Sequence, residues 1–533
     1  MEPKRHYDAI IVGAGFAGMY MLHKVRELGL SAIVFERGTD VGGTWYWNRY
    51  PGARCDVESM EYSYQFSEQI QQEWHWSERY SSQPEILRYA QHVAERLDLH
   101  RDIKFETTVV GACFDEDLNR WEVSLDSGES VFSGFVIMAT GCLSAANTPD
   151  FLGLEDFRGD TYHTGHWPHD PVDFRGKRVG IIGTGSSAIQ SIPHIAEQAA
   201  HLIVFQRTPN FSVPAANRAL DPDLEREIKG NYRSFRENNK KMTIGFGSKY
   251  EIFEDSALEA SPEKLQERFE QHWEIGGLLF LRAFADLGLN IESNRLAADF
   301  IKGKINEIVK DPETAELLSP NDVVGCKRLC ADTNYFETFN RNNVDLVDVS
   351  SNPIEAITTK GILTGGKEYL VDAIVFATGF DAMTGALHKI EIVGKNGIAL
   401  KDKWSDGPRT YLGLNTAGFP NLFMITGPGS PSVLSNMIQS IEQHVEFIAQ
   451  AMKHMRDNKF STIEADRKAE DEWVEVVNGI ASMTLYPQCN SWYLGANVPG
   501  KPRVFMPYLG FPSYVQKCEE VVNRGYQGFK LES

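Results

Sequence analysis

Two glycine-rich turns, each placed directly after an apolar run, constrain the fold of this chain more than any other feature. The first turn reads GAGFAG at Gly13–Gly18, and the second reads GTGSSA at Gly183–Ala188. Continuous apolar runs are typical of parallel strands buried on both faces, and a glycine turn that leads into a helix is typical of dinucleotide binding. The 533-residue chain is therefore predicted to be an α/β protein with two Rossmann-like dinucleotide-binding domains.

The first turn stands in the full context that such a fingerprint requires. Gly13 is predicted to make the tight turn, Gly15 to let the backbone approach a pyrophosphate, and Gly18 to pack helix against strand. A helical run and a second strand follow, and this strand ends in Glu36. An acid here accepts hydrogen bonds from ribose hydroxyl groups, which predicts an adenosine without a 2′-phosphate, such as that of FAD.

The second turn differs from the first at the end of its second strand, where Arg207 and Thr208 follow and no acid is present. A guanidinium group suits a 2′-phosphate, so this site is predicted to bind NADPH rather than NADH. The alternative, in which Arg207 is only a surface residue, leaves the missing acid unexplained. The candidate residues of this site are Gly183, Thr184, Gly185, Ser186, Ser187, Gln190, Arg207 and Thr208.

The segment FRGDTYHTGHWP, at residues 157–168, connects the two nucleotide-binding units. It has the pattern F-x-G-x-x-x-H-x-x-x-W-P, and its constrained positions are Phe157, Gly159, His163, Trp167 and Pro168. A protein that binds two nucleotides must join their sites, so this connector is expected to matter for how the two units are arranged.

Two groups of potential metal ligands occur, and neither has a suitable spacing. His163, His166 and His169 recur every three residues, which fits neither one face of a strand nor a helical pair beside a glycine and a proline. Cys326 and Cys330 lack a second pair of ligands at a zinc-binding spacing. No metal is therefore expected.

A glycine-rich, aromatic segment at residues 41–59 follows the first unit's second strand. Its aromatic run at 45–47 does not alternate as on a strand face, and two interpretations stay open: a buried aromatic loop, or a wall around a flavin ring. Arg54 and Asp56 lie in the same segment. The nearness of Asp56 to arginines and glycines argues against a simple exposed loop acid.

Strand-ending Ala-Thr-Gly tripeptides occur at residues 139–141 and again at 377–379. Their recurrence indicates that a returning strand crosses each of the two nucleotide-binding units. Further strands are predicted at residues 105–110 and 121–125.

The composition argues against several classes of protein. The formal net charge is −20, which disfavours a nucleic-acid partner because such partners require a basic surface. No apolar run is long enough to span a bilayer, so no membrane is expected. The seven cysteines are scattered, odd in number and without a CxxC pair. This pattern favours a reducing, cytoplasmic setting over a disulfide framework and argues against a disulfide reductase.

The chain is too long for one core, and two or three domains are expected. The predicted division is a first FAD-binding part at 1–142, a first NADP-binding part at 143–210, a mostly helical insertion at 211–325, a second NADP-binding part at 326–379, and a second FAD-binding part with substrate loops at 380–533.

Together with CKRL at 326–329, GPGSPSVLSNM at 427–437 and WYLGANVPGKPR at 492–503, these motifs resemble the flavin-dependent Baeyer–Villiger monooxygenases. The likeness is strongest to phenylacetone monooxygenase, with cyclohexanone and steroid monooxygenases as relatives, and covers nearly the whole chain. The connector is its most specific part, since related flavin N- and S-monooxygenases typically lack the ending seen at Trp167-Pro168.

The resemblance implies an NADPH- and O2-dependent enzyme that converts ketones to esters or lactones through a C4a-peroxyflavin, with side activity on sulfides. It implies FAD and NADPH as cofactors, a ketone and O2 as substrates, and a monomer or weak homo-oligomer. One alternative stays open, a flavin N- or S-monooxygenase acting on amines or sulfides. A pyridine-nucleotide disulfide reductase is disfavoured because the chain has no CxxC pair, and a nucleotide-binding sensor without turnover is disfavoured by two nucleotide sites beside a charged catalytic pair.

The resemblance also implies roles for single residues. Arg328 is expected to stabilise negative charge during oxygen transfer, Asp56 to orient it, and His163 to act as a hinge. Lys327 joins Arg207 and Thr208 at the 2′-phosphate, and Trp492 contacts the NADP ribose. The flavin-side residues are Ala17, Glu36, Thr44, Trp45, Tyr46, Trp47, Asp56, Tyr62 and the backbone at Val109. Further cofactor-binding candidates are Gly43, Arg54, Arg328 and Met437. The ketone pocket is expected to hold Ser432, Val433, Leu434 and Met437.

Overall fold

The computed structural model describes residues 6–506 and 510–533. Numbered in chain order, the strands are β1 (His6–Val12), β2 (Ala32–Phe35), β3 (Ile103–Lys104), β4 (Val109–Asp115), β5 (Arg120–Leu125), β6 (Ser130–Met138), β7 (Asp160–His163), β8 (Arg178–Ile182), β9 (His201–Gln206), β10 (Ser212–Pro214), β11 (Cys330–Asp332), β12 (Val344–Asp348), β13 (Ile354–Ile357), β14 (Gly361–Thr364), β15 (Lys367–Leu370), β16 (Ala373–Phe376), β17 (Glu391–Val393), β18 (Leu422–Met424), β19 (Thr462–Ala465) and β20 (Phe529–Glu532).

The α-helices are α1 (Phe16–Glu27), α2 (Thr44–Trp47), α3 (Glu68–Glu73), α4 (Gln83–Arg96), α5 (Ser186–Gln198), α6 (Pro222–Gly230), α7 (Tyr232–Lys240), α8 (Pro262–Ile275), α9 (Ile291–Ile308), α10 (Pro312–Leu318), α11 (Tyr335–Thr338), α12 (Gly385–His388), α13 (Leu400–Lys403), α14 (Met437–Asn458), α15 (Arg467–Ser482) and α16 (Phe511–Asn523). Within the described residues, no helix is both long and apolar enough to cross a membrane.

The first sheet is built around β1 and β6. Parallel pairing places β3, β2, β1, β6 and β18 side by side in that order. The remaining strands of this sheet, β5, β4 and β17, continue from the other part of β6. Because β17 and β18 come from the C-terminal third of the chain, that third returns to the N-terminal unit.

The glycine turn after β1 allows the backbone at the start of α1 to lie against the backbone at the end of β1. Gly13 has a φ of +103°, which a side chain would disfavour. A Cβ on Gly18 would lie 1.8 Å from the carbonyl oxygen of Gly13. Helix α1 can therefore begin close to the end of β1, with its N-terminal N–H groups directed at the cavity described below.

The second sheet repeats this arrangement. It contains β12, β9, β8, β16 and β7 in that order, and all pairs are parallel. A Cβ on Gly183 would lie 2.5 Å from the carbonyl oxygen of Ala377, just as one on Gly13 would lie 2.7 Å from that of Ala139. Each predicted Ala-Thr-Gly strand end therefore lies beside the glycine turn of its own unit.

The helices between β10 and β11 divide between two cores: α8 and α9 pack on the second sheet's core, whereas Ile228 of α6 and Tyr232 of α7 are buried in the first. Phe269, Phe280 and Phe284 are buried in the same cluster as Val179 and Ile181 of β8. Because β10 pairs with β11, the chain leaves the sheet region and returns to it at neighbouring points. The mostly helical character predicted for this stretch is therefore what the structure has.

Two local expectations differ from the structure. The strand predicted at 105–110 is interrupted between β3 and β4, because Glu106 has a φ of +51° and Thr107 N–H donates to the carbonyl oxygen of Glu36. The cysteines are also not all unpaired thiols, since Cys326 and Cys489 form a disulfide. The pattern of scattered cysteines could not reveal this, because the partners are 163 residues apart.

Replacement of Gly18 by alanine tests the close approach of α1 to β1. The new methyl group would overlap the backbone oxygen of Gly13, so we expect Gly18→Ala to lower the free energy of unfolding by about 3 kcal/mol. Gly479→Ala is the matched control, because Gly479 lies in α15 with open space around it. That change should raise stability by about 0.5–1 kcal/mol. Denaturant unfolding of both variants measures the difference, and equal stabilities would contradict the packing argument.

Candidate active site

A cavity of about 1770 Å³ is lined by both glycine turns. A pocket for one drug-sized ligand typically measures about 300–1,000 Å³, so this cavity has room for more than one. The predicted cofactor residues that line it are Gly13, Gly15, Ala17, Glu36, Gly43, Thr44, Trp45, Trp47, Arg54, Asp56, Tyr62, Val109, Gly183, Thr184, Gly185, Ser186, Ser187, Gln190, Arg207, Thr208, Lys327, Arg328, Met437 and Trp492. Gly18 and Tyr46 do not line it.

The end of the cavity at β1 is a cradle of backbone groups. The Glu36 carboxylate accepts hydrogen bonds from the N–H groups of Ala14, at 2.8 Å, and Gly38, at 2.7 Å. A Cβ on Gly43 would lie 2.9 Å from the Cα of Gly15, so two glycine segments touch there. The arrangement fits a pyrophosphate at the α1 N-terminus with a ribose beside Glu36.

The aromatic residues at 45–47 do not all follow one of the two interpretations, a buried aromatic loop or a cavity wall. The Trp45 indole N–H donates to the Tyr62 hydroxyl at 3.2 Å, and both residues line the cavity. The Tyr46 hydroxyl instead contacts Thr39 at 2.8 Å, and its ring packs on His169. The structure thus places Trp45 in the cavity wall, whereas Tyr46 is buried behind the wall.

Arg328 and Asp56 form a two-pronged ion pair inside the cavity. Arg328 Nε lies 2.5 Å from Asp56 Oδ2, and Nη2 lies 2.7 Å from Oδ1. The remaining Nη1 donates to the backbone carbonyl of Val433 at 2.8 Å and lies 3.5 Å from the Tyr493 hydroxyl. The side chain of Arg328 is only 19 % exposed. Its guanidinium group is therefore held from three sides.

The charge of Arg328 is secured by this partner. Burial by itself would lower the pKa of the guanidinium, but the charge of Asp56 and the contact with Tyr493 outweigh burial and raise that pKa well above its usual value. The cavity consequently contains a permanent cation, which is suited to stabilise negative charge that develops nearby.

The part of the cavity near β9 carries positively charged side chains. Arg207 and Thr208 are exposed there, and the Thr184 hydroxyl donates to the carbonyl of Thr208 at 2.8 Å. Lys327 Nζ lies 2.9 Å from a carboxylate oxygen of Asp322. Two cations on adjacent loops at the rim of a cavity suit a phosphate group.

A side-chain link joins the two units across the cavity. Gln190, on α5, accepts a hydrogen bond from the Tyr50 hydroxyl at 2.8 Å and donates to the carbonyl of Arg54 at 3.1 Å. The guanidinium of Arg54 pairs with Glu78. The second unit thereby contacts the same loop that presents Asp56.

The predicted ketone residues are only partly brought to the cavity. Val433 and Met437 line it. Ser432 is fully buried and Leu434 packs in a cluster with Trp492, so neither faces the cavity. A short 3₁₀ turn at Ser432–Leu434 accounts for this, because it directs successive side chains to different sides.

The connector reaches the cavity only at Gly165. β7 forms one edge of the second sheet, and at its end His163 Nε2 lies 3.3 Å from the Asn147 carbonyl and 3.2 Å from the Thr378 hydroxyl. Burial lowers the pKa of His163. Gly159 lies where a Cβ would be 2.3 Å from the Asp372 carbonyl, and Trp167 is buried. Among the constrained positions, Phe157, Gly159, His163, Trp167 and Pro168 are all absent from the cavity lining.

The histidines and cysteines considered as metal ligands have separate partners. The ring of His166 packs edge-on against Trp47, whereas His169 packs on Tyr46. Cys330 contacts the Ser186 hydroxyl, whereas Cys326 is bonded to Cys489. In residues 6–506 and 510–533, no group of three histidine, cysteine or acidic side chains is arranged to hold a metal ion.

Sequence reasoning did not single out Tyr493 and Tyr50, which contact Arg328 and Gln190 respectively. Each stands in a motif that was recognised, directly after Trp492 and shortly after Trp47. The sequence shows that each motif contains a further aromatic residue. It does not show which aromatic ring of the motif faces the site.

Comparisons with known proteins agree with this geometry. The family model described as pyridine nucleotide-disulphide oxidoreductase matches residues 10–271, a stretch that contains both glycine turns. A phenazine N-monooxygenase of Lysobacter antibioticus is 42 % identical over 99 % of this chain and 98 % of its own length. The solved structure of an oxidised steroid monooxygenase bound to NADP has a TM-score of 0.94 and 49 % identity, with 99 % of each chain covered.

A Baeyer–Villiger monooxygenase of Pseudooceanicola batsensis is similar over almost the entire length. It is 43 % identical over 525 residues, which are 98 % of this chain and 95 % of that protein. Similarity of this extent covers almost the whole of both chains. The chain therefore belongs to the family of flavin-dependent Baeyer–Villiger monooxygenases.

Proposed function

We propose that this protein is an NADPH- and O2-dependent Baeyer–Villiger monooxygenase that converts ketones to esters or lactones. The observation that carries the proposal is the Arg328–Asp56 pair, held in a cavity that both glycine turns line. A nucleotide-binding protein without turnover has no need of a buried, two-pronged cation between two nucleotide sites.

FAD fits the end of the cavity at β1, where Gly13, Gly15 and Glu36 provide the cradle. When bound, it supplies the transfer of electrons from NADPH to O2 and the activation of that oxygen. Trp45 and Tyr62 are placed to contact the flavin ring and to exclude water from it. The backbone turn, and not a charged side chain, meets the pyrophosphate there.

NADPH fits the end of the cavity at β9. Arg207, Thr208 and Lys327 are proposed to bind the 2′-phosphate, and Trp492 the ribose. The formal net charge of the protein is −20, so its overall field repels a phosphate-bearing cofactor. Local cations at this rim oppose that repulsion at short range, where screening by salt is least.

Arg328 is proposed to act on the reacting ketone. A carbonyl oxygen gains negative charge when its carbon is attacked, and a guanidinium fixed beforehand stabilises that charge without rearrangement. Asp56 orients the guanidinium, and the Val433 carbonyl fixes its remaining nitrogen. Val433 and Met437 line the space where the ketone would lie. Ser432 and Leu434 are proposed to shape this space from behind.

The connector is proposed to set how the two units meet. His163 bridges the backbone at Asn147 and the side chain at Thr378, two points where the chain passes between units. We propose the domain division 1–142 with 380–533 for FAD, 143–210 with 326–379 for NADP, and 211–325 as the insertion. We also propose side activity on sulfides, a cytoplasmic location, and a monomer or weak homo-oligomer.

A second candidate function is flavin-dependent N-oxygenation. It is favoured by the phenazine N-monooxygenase, whose identity of 42 % is close to that of the Baeyer–Villiger relative. The two reactions differ in the acceptor, an aromatic nitrogen in place of a carbonyl carbon. A ketone is attacked at its carbonyl carbon and its oxygen becomes a tetrahedral alkoxide, whereas an aromatic nitrogen attacks the transferred oxygen with its own lone pair and needs no activation. The fixed Arg328 therefore favours the ketone.

The function is tested by supplying the FAD-loaded protein with NADPH, O2 and one acceptor at a time. Phenylacetone, cyclohexanone, thioanisole and phenazine distinguish ester, lactone, sulfoxide and N-oxide products by mass spectrometry. We expect esters or lactones from at least one ketone. Exclusive formation of N-oxide would replace the proposal with the second candidate.

Replacement of Arg328 separates oxygen transfer from cofactor reduction. We expect Arg328→Ala to lower ester formation by about 100-fold or more, since one charge-stabilising donor in an active site is worth about 10²–10³ in rate. Anaerobic reduction of the flavin by NADPH should change by less than about threefold, because that step precedes ketone attack. Arg175→Ala, at an exposed arginine, is the control. If Arg328→Ala formed ester at the wild-type rate, Arg328 would have no role in the mechanism.

Replacement of Arg207 tests the choice between the two nicotinamide cofactors. Loss of a charge-assisted contact of about 1.5–3 kcal/mol predicts that Arg207→Ala raises the KM for NADPH by about 10- to 100-fold. The KM for NADH should stay within about twofold, because NADH has no 2′-phosphate to lose contact with. Steady-state kinetics with both cofactors, beside Arg295→Ala as an exposed control, measure this. Equal changes for NADPH and NADH would place the 2′-phosphate elsewhere.

A further inference from the structure

The disulfide between Cys326 and Cys489 lies next to the residues that form the site. Cys326 directly precedes Lys327 and Arg328 in sequence, and Cys489 lies three residues before Trp492. The two Cα atoms are 6.2 Å apart, within the range of about 4.4–6.8 Å that a disulfide spans. The pair therefore ties two segments that both reach the cavity.

The second of these segments, residues 486–503, is called the cavity loop here. Gln488, Asn490 and Trp492 of this loop line the cavity. Apart from the disulfide, Tyr493 is buried in a cluster with Val433. Polar side chains also attach the loop: Asn497 donates to the Phe380 carbonyl at 2.8 Å, and Lys501 pairs with Asp381. Contacts of this kind can break and reform. Within the described residues, the disulfide is the covalent cross-link between this loop and the segment that holds Arg328.

The disulfide spans the same two segments as the contact between Arg328 and Tyr493. The Tyr493 hydroxyl lies 3.5 Å from Arg328 Nη1. Cys489 is four residues before Tyr493, and Cys326 is two residues before Arg328. A bond between the cysteines therefore limits how far Tyr493 can move from the guanidinium.

The pair is distinct from the other cysteines. Cys326 and Cys489 are both buried, yet their neighbours Lys327, Gln488 and Asn490 line the cavity, so the sulfur atoms lie directly behind its wall. The cysteines outside this pair are free thiols: Cys55, Cys113, Cys142, Cys330 and Cys518. Cys55 and Cys142 also line the cavity, but among the described residues only Cys326 and Cys489 are bonded to each other.

We propose that Cys326 and Cys489 are a redox-controlled pair whose disulfide holds the cavity loop closed over the site. The oxidant is hydrogen peroxide. One thiolate attacks the peroxide and becomes a sulfenic acid with release of one water, and the second thiol then displaces another water to form the S–S bond. Two S–H bonds and the O–O bond break, the cysteines are oxidised, and the peroxide is reduced.

The source of the peroxide rests on the proposed function. When NADPH reduces O2 by two electrons and no oxygen atom reaches a substrate, the product is hydrogen peroxide, released into the cavity that Lys327 and Gln488 line. A ketone-starved enzyme would thus close its own loop, and a cellular thiol reductant would reopen it. A loop that must open for cofactor or product exchange would then limit turnover.

The experiment uses the full-length, FAD-loaded protein, reduced with a phosphine and then exposed to hydrogen peroxide. Non-reducing digestion and mass spectrometry detect a peptide pair joined through Cys326 and Cys489. Hydrogen exchange of residues 486–503 measures closure, and we expect it to slow by about tenfold on oxidation. Neither readout requires ketone turnover, so both decide the inference even if the ketone assay fails.

Turnover is the third readout, and variants assign it to the pair. In the wild type, we expect oxidation to lower turnover by about fivefold and the phosphine to restore it. Cys326→Ser and Cys489→Ser should show neither the slowed exchange nor the loss of turnover, whereas Cys518→Ser and Cys113→Ser should behave as the wild type. A missing cross-link, a cross-link without slower exchange, or equal inhibition of Cys326→Ser would each overturn the proposal.

Discussion

The ion pair between Arg328 and Asp56 is the interaction on which the rest of the site depends. A largely buried charge is strongly destabilising without a partner, and a buried pair is favourable only with well-aligned hydrogen bonds. Here the two residues are 272 positions apart, one in the loop after the first unit's β2 and the other just before β11. The pair forms only if the two units are docked. The site geometry therefore requires the docked arrangement of the units.

An acidic protein needs local sites of positive potential to hold anionic cofactors. We propose that backbone N–H groups at the ends of β1 and β8 and a few cations at the cavity rim bind their phosphate groups. These interactions act at short range in a cavity with little water, where a charge is felt more strongly than across the solvated surface. The surplus of acidic residues can remain on the outer surface without preventing cofactor binding.

Local patterns were sufficient for the parts of the fold that depend on neighbouring residues. The apolar run before Gly183 is β8, and the fingerprint at Gly13–Gly18 leads into α1, because apolar periodicity and glycine turns act within about ten residues. The return of β17 and β18 to the first sheet, the break at Glu106, and the pairing of Cys326 with Cys489 depend on distant segments. For the site, motifs identified Arg328 and Asp56, whereas the orientation of Tyr46 and Tyr493 is decided by packing that no local pattern contains.

The contacts of Arg328 also indicate why one scaffold can serve several acceptors. Asp56 supplies a side chain, but Val433 supplies only its backbone carbonyl, so the side chain at that position can change without loss of the hydrogen bond. Ketones and an aromatic nitrogen compound occur among the names of relatives that are similar over the full chain. The sheets and glycine turns fix the cofactors and the cation, while loop side chains remain free to adapt to the acceptor. Acceptor choice is therefore expected to follow the side chains around residues 432–437 and the cavity loop, and not the two nucleotide-binding units.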